Sequence, residues 1–375
     1  MLTLVTGSSG YLGIELVRAL RAQGREVRAL IRNWDAEQRL VGTGAVAVLG
    51  DVTRPETLGP ALEGVSRVFH LAGVVGHRAA DDARLQRVNV EGTRNLLDAA
   101  ARAGVERIVY TSSVGAMGPA ATPEYPRSEQ HFLLDGDDGR GDFRYSRSKA
   151  QGELLALEAA AAGRDVVVVN PGFVIGPGDV HRVSSWPVEE YLRGMVRFVV
   201  RGGLSYVDVR DVVDGHLLAE QHGVAGQRYI LTNEEGNLPY PDFFARVGDV
   251  AGHRRWQVTA PVGMLTPGLR LARVLRLRFA PVDDNELRSG AYWWFYKADK
   301  ARNELGFTTR PLDETLADTI AWLRADGYRR HQMRSSASHS AMAANAARQI
   351  SLFSRSSASG QVESLTQTTP AGGLM

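Results

Sequence analysis

Short apolar, β-branched runs alternate with helical stretches through the first half of the chain. The strand candidates are residues 2–6, 26–31, 45–49, 67–71, 107–111 and 165–169. Between the first two, Ile14, Leu16, Val17 and Leu20 fall on one face at helical spacing. Thr53, Pro55 and Glu56 predict a helix start, with a capping hydroxyl, a proline in the first turn and a glutamate to complete the box. A long helix is expected over 83–103, with Gly104 to stop it. Strand–helix alternation of this kind predicts an α/β fold, a doubly wound parallel sheet covered on both faces. Such sheets bind ligands beyond the carboxyl ends of their strands.

Past residue 170 the alternation decays. Helical pieces, a strand-like 229–231 and a closing helix near 312–323 predict a small C-terminal substrate lobe. From about residue 330 Ser, Ala, Gln and Thr dominate, a composition that cannot offset its own ordering entropy and predicts a disordered C-terminal tail. The expected organisation is 1–170 for cofactor and chemistry, 171–328 returning to the sheet and forming the lobe, and 329–375 for the tail.

Charge and composition narrow the chemistry. A net charge of +2 gives no nucleic-acid footprint. The absence of cysteine removes disulfides, thiolate catalysis and Cys-based zinc sites. The histidines lack paired ligand spacing, so no metal is expected. No apolar run reaches the roughly 18 residues needed to span a bilayer, and a cytoplasmic enzyme is expected. The stretch 265–279 mixes leucine and arginine without a carboxylate; packing over a substrate cleft is favoured there over contact with a membrane surface. Basic charge is almost all arginine, and the only lysines are Lys149, Lys297 and Lys300.

Residues 6–13 read TGSSGYLG, after the first strand and at the start of the first helix. Glycines at such a turn let the backbone approach a pyrophosphate, whose charge sits on the helix N-terminus. Gly7, Ser9, Gly10, Tyr11, Leu12 and Gly13 are therefore candidate dinucleotide contacts. The second strand selects the dinucleotide: an acidic residue at its end suits NAD, an arginine suits the 2′-phosphate of NADP. Here it ends Ile31-Arg32-Asn33 with no carboxylate before Asp35, so Arg32 favours NADP(H), with NAD(H) as the alternative.

Tyr145 and Lys149, in YSRSK, lie one helical turn apart and share a face. A free tyrosine titrates near about pH 10, and a nearby ammonium favours its phenolate. Ser113, ending TSS after the fifth strand, stands where a reacting carbonyl would sit. The expected catalytic set is Ser113, Tyr145 and Lys149. Tyr296 and Lys300 repeat the spacing, but in the small lobe, away from any strand-end serine.

TGSSGYLG, Asp51-Val52, His70-Leu71-Ala72-Gly73, NVEGTRNLLDAA, YTSS, YSRSK and NPGFVIGPGD together resemble the extended short-chain dehydrogenases/reductases. The likeness covers roughly residues 1–327 and is greatest to the dihydroflavonol-reductase-like and hopanoid-associated branch; YKADKARNELGF is similar to that family's closing motif. The resemblance implies a Rossmann sheet, Asp51 and Val52 at the adenine, and Leu71, Ala72 and Gly73 along the ribose path. It implies Thr111 among the cofactor contacts and Pro171, Gly172, Phe173 and Val174 at the nicotinamide end. It also implies that Lys149 binds the nicotinamide ribose and that Asn89 supports the catalytic helix. The expected activity is hydride transfer between nicotinamide and a ketone or secondary alcohol of a small molecule. The alternative is an NAD-dependent NDP-sugar epimerase: Asn170 matches a diphosphate-binding asparagine, whereas Gly203 stands where epimerases carry an arginine, with Arg201 close enough to serve instead. A cofactor-sensing binding protein is less favoured, given the intact catalytic set. His77, His181 and Trp186 are candidate pocket residues, and the Pro-, Gly- and acid-rich stretch 120–142 is an expected mobile loop. The resemblance allows a homodimer.

Overall fold

A computed structural model of the chain describes residues 1–133, 143–267 and 284–325. The chain falls into two units, Met1–Leu323 and Arg324–Met375. The second lies outside the described residues from 326 onward, and with it the tail expected over 329–375.

In the first unit the strands are β1 (Leu2–Thr6), β2 (Glu26–Ile31), β3 (Val46–Leu49), β4 (Arg67–His70), β5 (Arg107–Thr111), β6 (Val166–Pro171), β7 (Phe173–Ile175), β8 (Phe198–Val199), β9 (Gly203–Asp208), β10 (Arg228–Leu231), β11 (Asn237–Pro239), β12 (Val258–Thr259) and β13 (Trp293–Trp294). The helices used below are α1 (Tyr11–Ala22), α2 (Leu58–Leu62), α3 (Asp82–Leu85), α4 (Gly92–Arg102), α5 (Arg144–Ala161), α6 (Trp186–Leu192), α7 (Val209–His222) and α8 (Tyr240–Ala251).

Seven strands form the main sheet in the order β10-β6-β5-β4-β1-β2-β3, and every pairing is parallel. This is a Rossmann sheet with one added strand, its order reversing between β1 and β4. Successive residues of each strand feed opposite cores. Val5, Val109, Val167 and Val169 join α1 and α7 through Leu16, Val17, Leu20, Val212 and Val213. Leu4, Ile108, Val166 and Val168 join α2, α4 and α5 through Leu58, Leu62, Leu96, Leu97 and Ala156. Each fully buried Val, Leu or Ile among them contributes about 1.5–3 kcal/mol, so both faces of the sheet are anchored by packing.

A second sheet is built on β9, which pairs antiparallel with β11 and parallel with β7 and β13; β8 pairs with β12. Their core contains Tyr191, Tyr206, Phe243, Phe244, Leu312, Leu316 and Ile320, with Tyr206 stacked on Phe243 at 3.9 Å between ring centres.

Three local expectations change. The 83–103 helix is helical throughout but widens into a π turn at Gln86–Glu91 between α3 and α4. That turn carries Asn89 inward, where its amide bonds Val74 and Ser148. The capping box at Thr53 does not form, because the Thr53 hydroxyl donates to Asp51 Oδ1 instead, and the helical turn begins at Pro55 with no side-chain cap. The strand-like 229–231 is β10, the outer strand of the main sheet. Residues 134–142 of the expected loop and most of the 265–279 stretch lie outside the described residues.

Candidate active site

The glycine turn is shaped by what it excludes. Gly7 sits at φ +68°, a left-handed backbone suited to glycine, and a Cβ there would lie 2.8 Å from the Ala72 nitrogen. A Cβ on Gly13 would lie 2.1 Å from the Gly7 carbonyl, and one on Gly10 3.1 Å from it. The Ser8 hydroxyl ties the turn to β2 by donating to the Leu30 carbonyl at 2.9 Å. Helix α1 then opens with no side-chain cap at Gly10 and no acidic residue in its first turn, so its first N–H groups keep their capacity to bind an anion. A dinucleotide pyrophosphate fits this cradle: bare backbone, close approach and a positive helix end. The Ser9 carbonyl accepts from Arg39, whose guanidinium also meets His181. Leu12 packs into the core, and the Tyr11 ring points toward Gly176, where a Cβ would come within 2.9 Å of its hydroxyl.

Other candidate cofactor residues follow the neighbouring strands. Arg32 is exposed immediately beyond β2. Asp51 accepts from the Thr53 N–H at 2.8 Å, and Val52 is buried against Gly92. Leu71, Ala72 and Gly73 leave β4 opposite the glycine turn, and the Ala72 N–H donates to Thr6 Oγ1 at 3.1 Å. Thr6 in turn bonds His70 Nδ1 at 2.7 Å, and His70 Nε2 lies 3.2 Å from Thr93 Oγ1, which donates to the Asn89 carbonyl. With the Thr6 and Thr93 donors so used, His70 is neutral with its proton on Nε2. Burial, with the Lys149 charge adding to it, pulls its pKa to about 3.

The catalytic candidates converge beyond β5. Ser113 caps the turn Val114–Met117, its Oγ accepting from the Gly115 N–H at 3.1 Å. Its hydroxyl is also hydrogen-bonded to Tyr145, the second residue of α5. Burial pushes the Tyr145 pKa up and the Ser113 bond opposes that shift, so the phenol is protonated at neutral pH. Lys149 is 5 % exposed and its Nζ donates to the Thr111 carbonyl at 2.7 Å. Burial pulls the lysine down to about 8, and the charge of Glu153 pulls the other way. The ammonium is therefore engaged at the strand end, on the face of α5 that also carries Tyr145. A Cβ on Gly73 would lie 3.3 Å from Asn89 Oδ1 and 3.8 Å from Lys149 Nζ, which places this glycine beside both side chains.

Asn89 is buried beneath these residues. Its Nδ2 donates to Ser148 Oγ at 2.9 Å, and Ser148 donates to the Tyr145 carbonyl at 2.7 Å. His77 lies 6.3 Å from Tyr145, ring centre to ring centre, while His181 stands at Arg39 and Trp186 opens α6. Pro171 ends β6, and Gly172 has no room for a side chain, since a Cβ would lie 2.5 Å from the Ser205 carbonyl. Phe173 and Val174 follow, half-buried, in β7.

Sequence reasoning missed a buried polar group beside this cluster. Glu153 accepts from Asn170 Nδ2 at 2.6 Å and pairs with Arg228 Nε at 2.5 Å. The second N–H of Asn170 donates to the Ser113 carbonyl at 3.1 Å. The available signal was the spacing of Glu153 four residues after Lys149, on the same helix face. His216 was also missed; its Nε2 meets Thr111 Oγ1 at 2.8 Å, and burial pulls its pKa to about 4. Among the described residues no cluster of three or more His, Asp or Glu forms a metal site, and no helix is long and apolar enough to cross a membrane.

With this geometry the family is defined by comparison. Residues 3–232 match the model of the NAD dependent epimerase/dehydratase family. Sterol demethylase protein B of Methylococcus capsulatus is 34 % identical, covering 87 % of this chain and 99 % of the relative. A 4-hydroxy-2-methyl-3-oxo-4-farnesyl-3,4-dihydroquinoline-1-oxide ketoreductase of Stigmatella aurantiaca is 33 % identical over 85 % and 96 %. Among solved structures, gox2253 superposes with TM-score 0.74 at 33 % identity, over 87 % of this chain and 98 % of the other. A nucleoside-diphosphate-sugar epimerase from Pseudomonas aeruginosa gives 0.71 at 27 %, over 88 % and 99 %. MoeE5, in complex with UDP-glucuronic acid and NAD, gives 0.68 at 26 %, over 87 % and 100 %. The chain belongs to the NAD-dependent epimerase/dehydratase family, the extended short-chain dehydrogenases/reductases, and is an NAD(P)-dependent enzyme.

Proposed function

We propose that this chain is an NADP(H)-dependent reductase that interconverts a ketone and a secondary alcohol of a small molecule. The observation that carries this reading over sugar-nucleotide epimerisation is the orientation of Asn170. Both hydrogens of its amide are spent inside the protein, on Glu153 and on the Ser113 carbonyl, which leaves no donor there for a substrate diphosphate. Gly203 points the same way: a Cβ would lie 2.5 Å from the Leu238 carbonyl, so no arginine is accommodated at that position. The ketoreductase relative is consistent with carbonyl chemistry.

The nicotinamide, when bound, supplies hydride to the carbonyl carbon or accepts it from the alcohol. Gly7, Ser9, Gly10, Tyr11, Leu12 and Gly13 would hold the pyrophosphate, chiefly through the backbone, and Arg32 the 2′-phosphate. Asp51 and Val52 would flank the adenine, and Leu71, Ala72, Gly73 and Thr111 the ribose path. Pro171, Gly172, Phe173 and Val174 would border the nicotinamide. Ser113 orients the substrate oxygen through its hydroxyl, and Tyr145 gives that oxygen its proton. The upward shift of Tyr145 keeps the proton in place for donation at neutral pH, which suits the reductive direction. Lys149 holds the ribose hydroxyls and maintains positive charge beside the site.

The test is a parallel assay. Purified protein is offered NADPH with a panel of cyclic and aryl ketones, and separately UDP-glucose and UDP-galactose. NADPH consumption with a ketone, and no sugar interconversion, is the expected result. Interconversion of the sugars without net cofactor turnover would replace this reading with epimerisation.

A further inference from the structure

We infer that Glu153 is a positioning residue that, through Arg228 and Asn170, couples the catalytic helix to the segment Glu129–Phe132. The inference rests on the reductase reading for its chemistry, and on geometry for the coupling.

Glu153 is fully buried. A carboxylate withdrawn from water costs several kcal/mol, and an ion pair at such a site is weak evidence for stability, because an apolar pair of similar volume commonly does as well. Its retention beside the reacting groups calls for another role, and its partners supply one. One oxygen receives the Asn170 amide, whose other hydrogen holds the Ser113 carbonyl. Ser113 is the residue whose hydroxyl meets Tyr145. The second oxygen pairs with Arg228 on β10. Arg228 Nη1 donates to the carbonyls of Glu129 at 2.8 Å and His131 at 3.0 Å. Its guanidinium lies 5.1 Å from the Phe132 ring centre. Glu129 returns the contact, its Oε1 accepting from the Ile230 N–H at 2.9 Å. One carboxylate thus fixes both the backbone of the carbonyl-orienting serine and residues 129–132, within the stretch 120–142 expected as a loop.

The charged neighbourhood is small. Lys149 faces Glu153 from the preceding turn of α5 and Tyr110 from β5, and acts on His70. Glu153 acts on Tyr110, and Arg228 and Lys300 both act on Glu129. Removing the Glu153 charge withdraws the carboxylate that raises the Lys149 pKa against burial, leaving the Thr111 carbonyl as its hydrogen-bond partner, while Arg228 stays charged.

The experiment compares wild type with Glu153→Gln, Arg228→Gln and the double variant. The readouts are the pH profile of ketone reduction and amide hydrogen exchange across residues 127–133. Glu153→Gln is expected to lower kcat about tenfold, with NADPH affinity within about twofold, a loss of the size that small misplacement brings. It should also move the alkaline limb to lower pH. Arg228→Gln is expected mainly to raise the ketone KM. Both single variants should speed exchange at 127–133 by about tenfold or more relative to α1, and the double variant should add little, as coupled residues do. Folded single variants with wild-type exchange at 127–133 and an unmoved pH limb would overturn the inference. Because exchange needs no turnover, accelerated exchange in a protein that reduces no ketone would sink the reductase reading and leave the coupling standing.

Discussion

Two tyrosine–lysine pairs with identical spacing sit in this molecule, and they live in different worlds. Tyr145 and Lys149 lie on α5 beyond the ends of β5 and β6, with Ser113 hydrogen-bonded to the phenol and Thr111 holding the ammonium. Tyr296 is buried beside β13 and spends its hydroxyl on the Gly118 carbonyl at 2.9 Å. Lys300 reaches Gln227 at 2.5 Å and lies 4.9 Å from the Tyr229 ring centre. In the first pair both functional ends reach the strand-end site; in the second each end is consumed by an unrelated structural partner. A tyrosine four residues before a lysine is therefore only a spacing, and the strand end in front of it makes it a candidate for chemistry.

The tyrosines separate the pairs most sharply. Tyr145→Phe is expected to lower ketone reduction about 10³-fold, within the range for losing a positioned acid, while NADPH affinity stays within about twofold. Tyr296→Phe should leave turnover within about threefold and lower stability by about 1–2 kcal/mol in urea unfolding, since the Gly118 carbonyl loses a buried donor. Comparable losses of turnover in the two variants would erase the distinction.

The lysines give a smaller but double contrast. Lys149→Ala should reduce turnover and weaken NADPH binding about tenfold or more, as expected for a charged hydrogen bond. Lys300→Ala should change neither, with stability within about 0.5 kcal/mol. The pH profile sharpens this. Tyr145 is shifted upward and stays protonated, so reduction should be level below about pH 8 and decline above it as Lys149 loses its proton. That limb should persist unchanged in Tyr296→Phe and Lys300→Ala.

Much of this architecture is legible in the chain because its information is local. Strands buried on both faces read as apolar runs, and the catalytic candidates occupy two short motifs that the fold brings together. The Glu153–Asn170–Arg228 group is not local: its members lie 17 residues and then 58 residues apart, and they meet only through the parallel register of β6 with β10. The π turn at Gln86–Glu91 escapes an apolar count, since a helix that admits one extra residue keeps its periodic face on either side. The Thr53 box failed for a competing reason: the Asp51 carboxylate, two residues earlier, captures the hydroxyl first.

The most direct measurement is the identity and affinity of the dinucleotide. Purified protein would be denatured to release any retained cofactor, and stripped protein titrated with NADPH and NADH, in wild type and in Arg32→Ala. The account predicts reversible binding that favours NADPH, with the preference lost in Arg32→Ala through a roughly tenfold weaker NADPH affinity and unchanged NADH affinity. Tightly retained NAD that survives purification, with no loss on replacing Arg32, would contradict it and move the enzyme among those that recycle their cofactor on a sugar nucleotide.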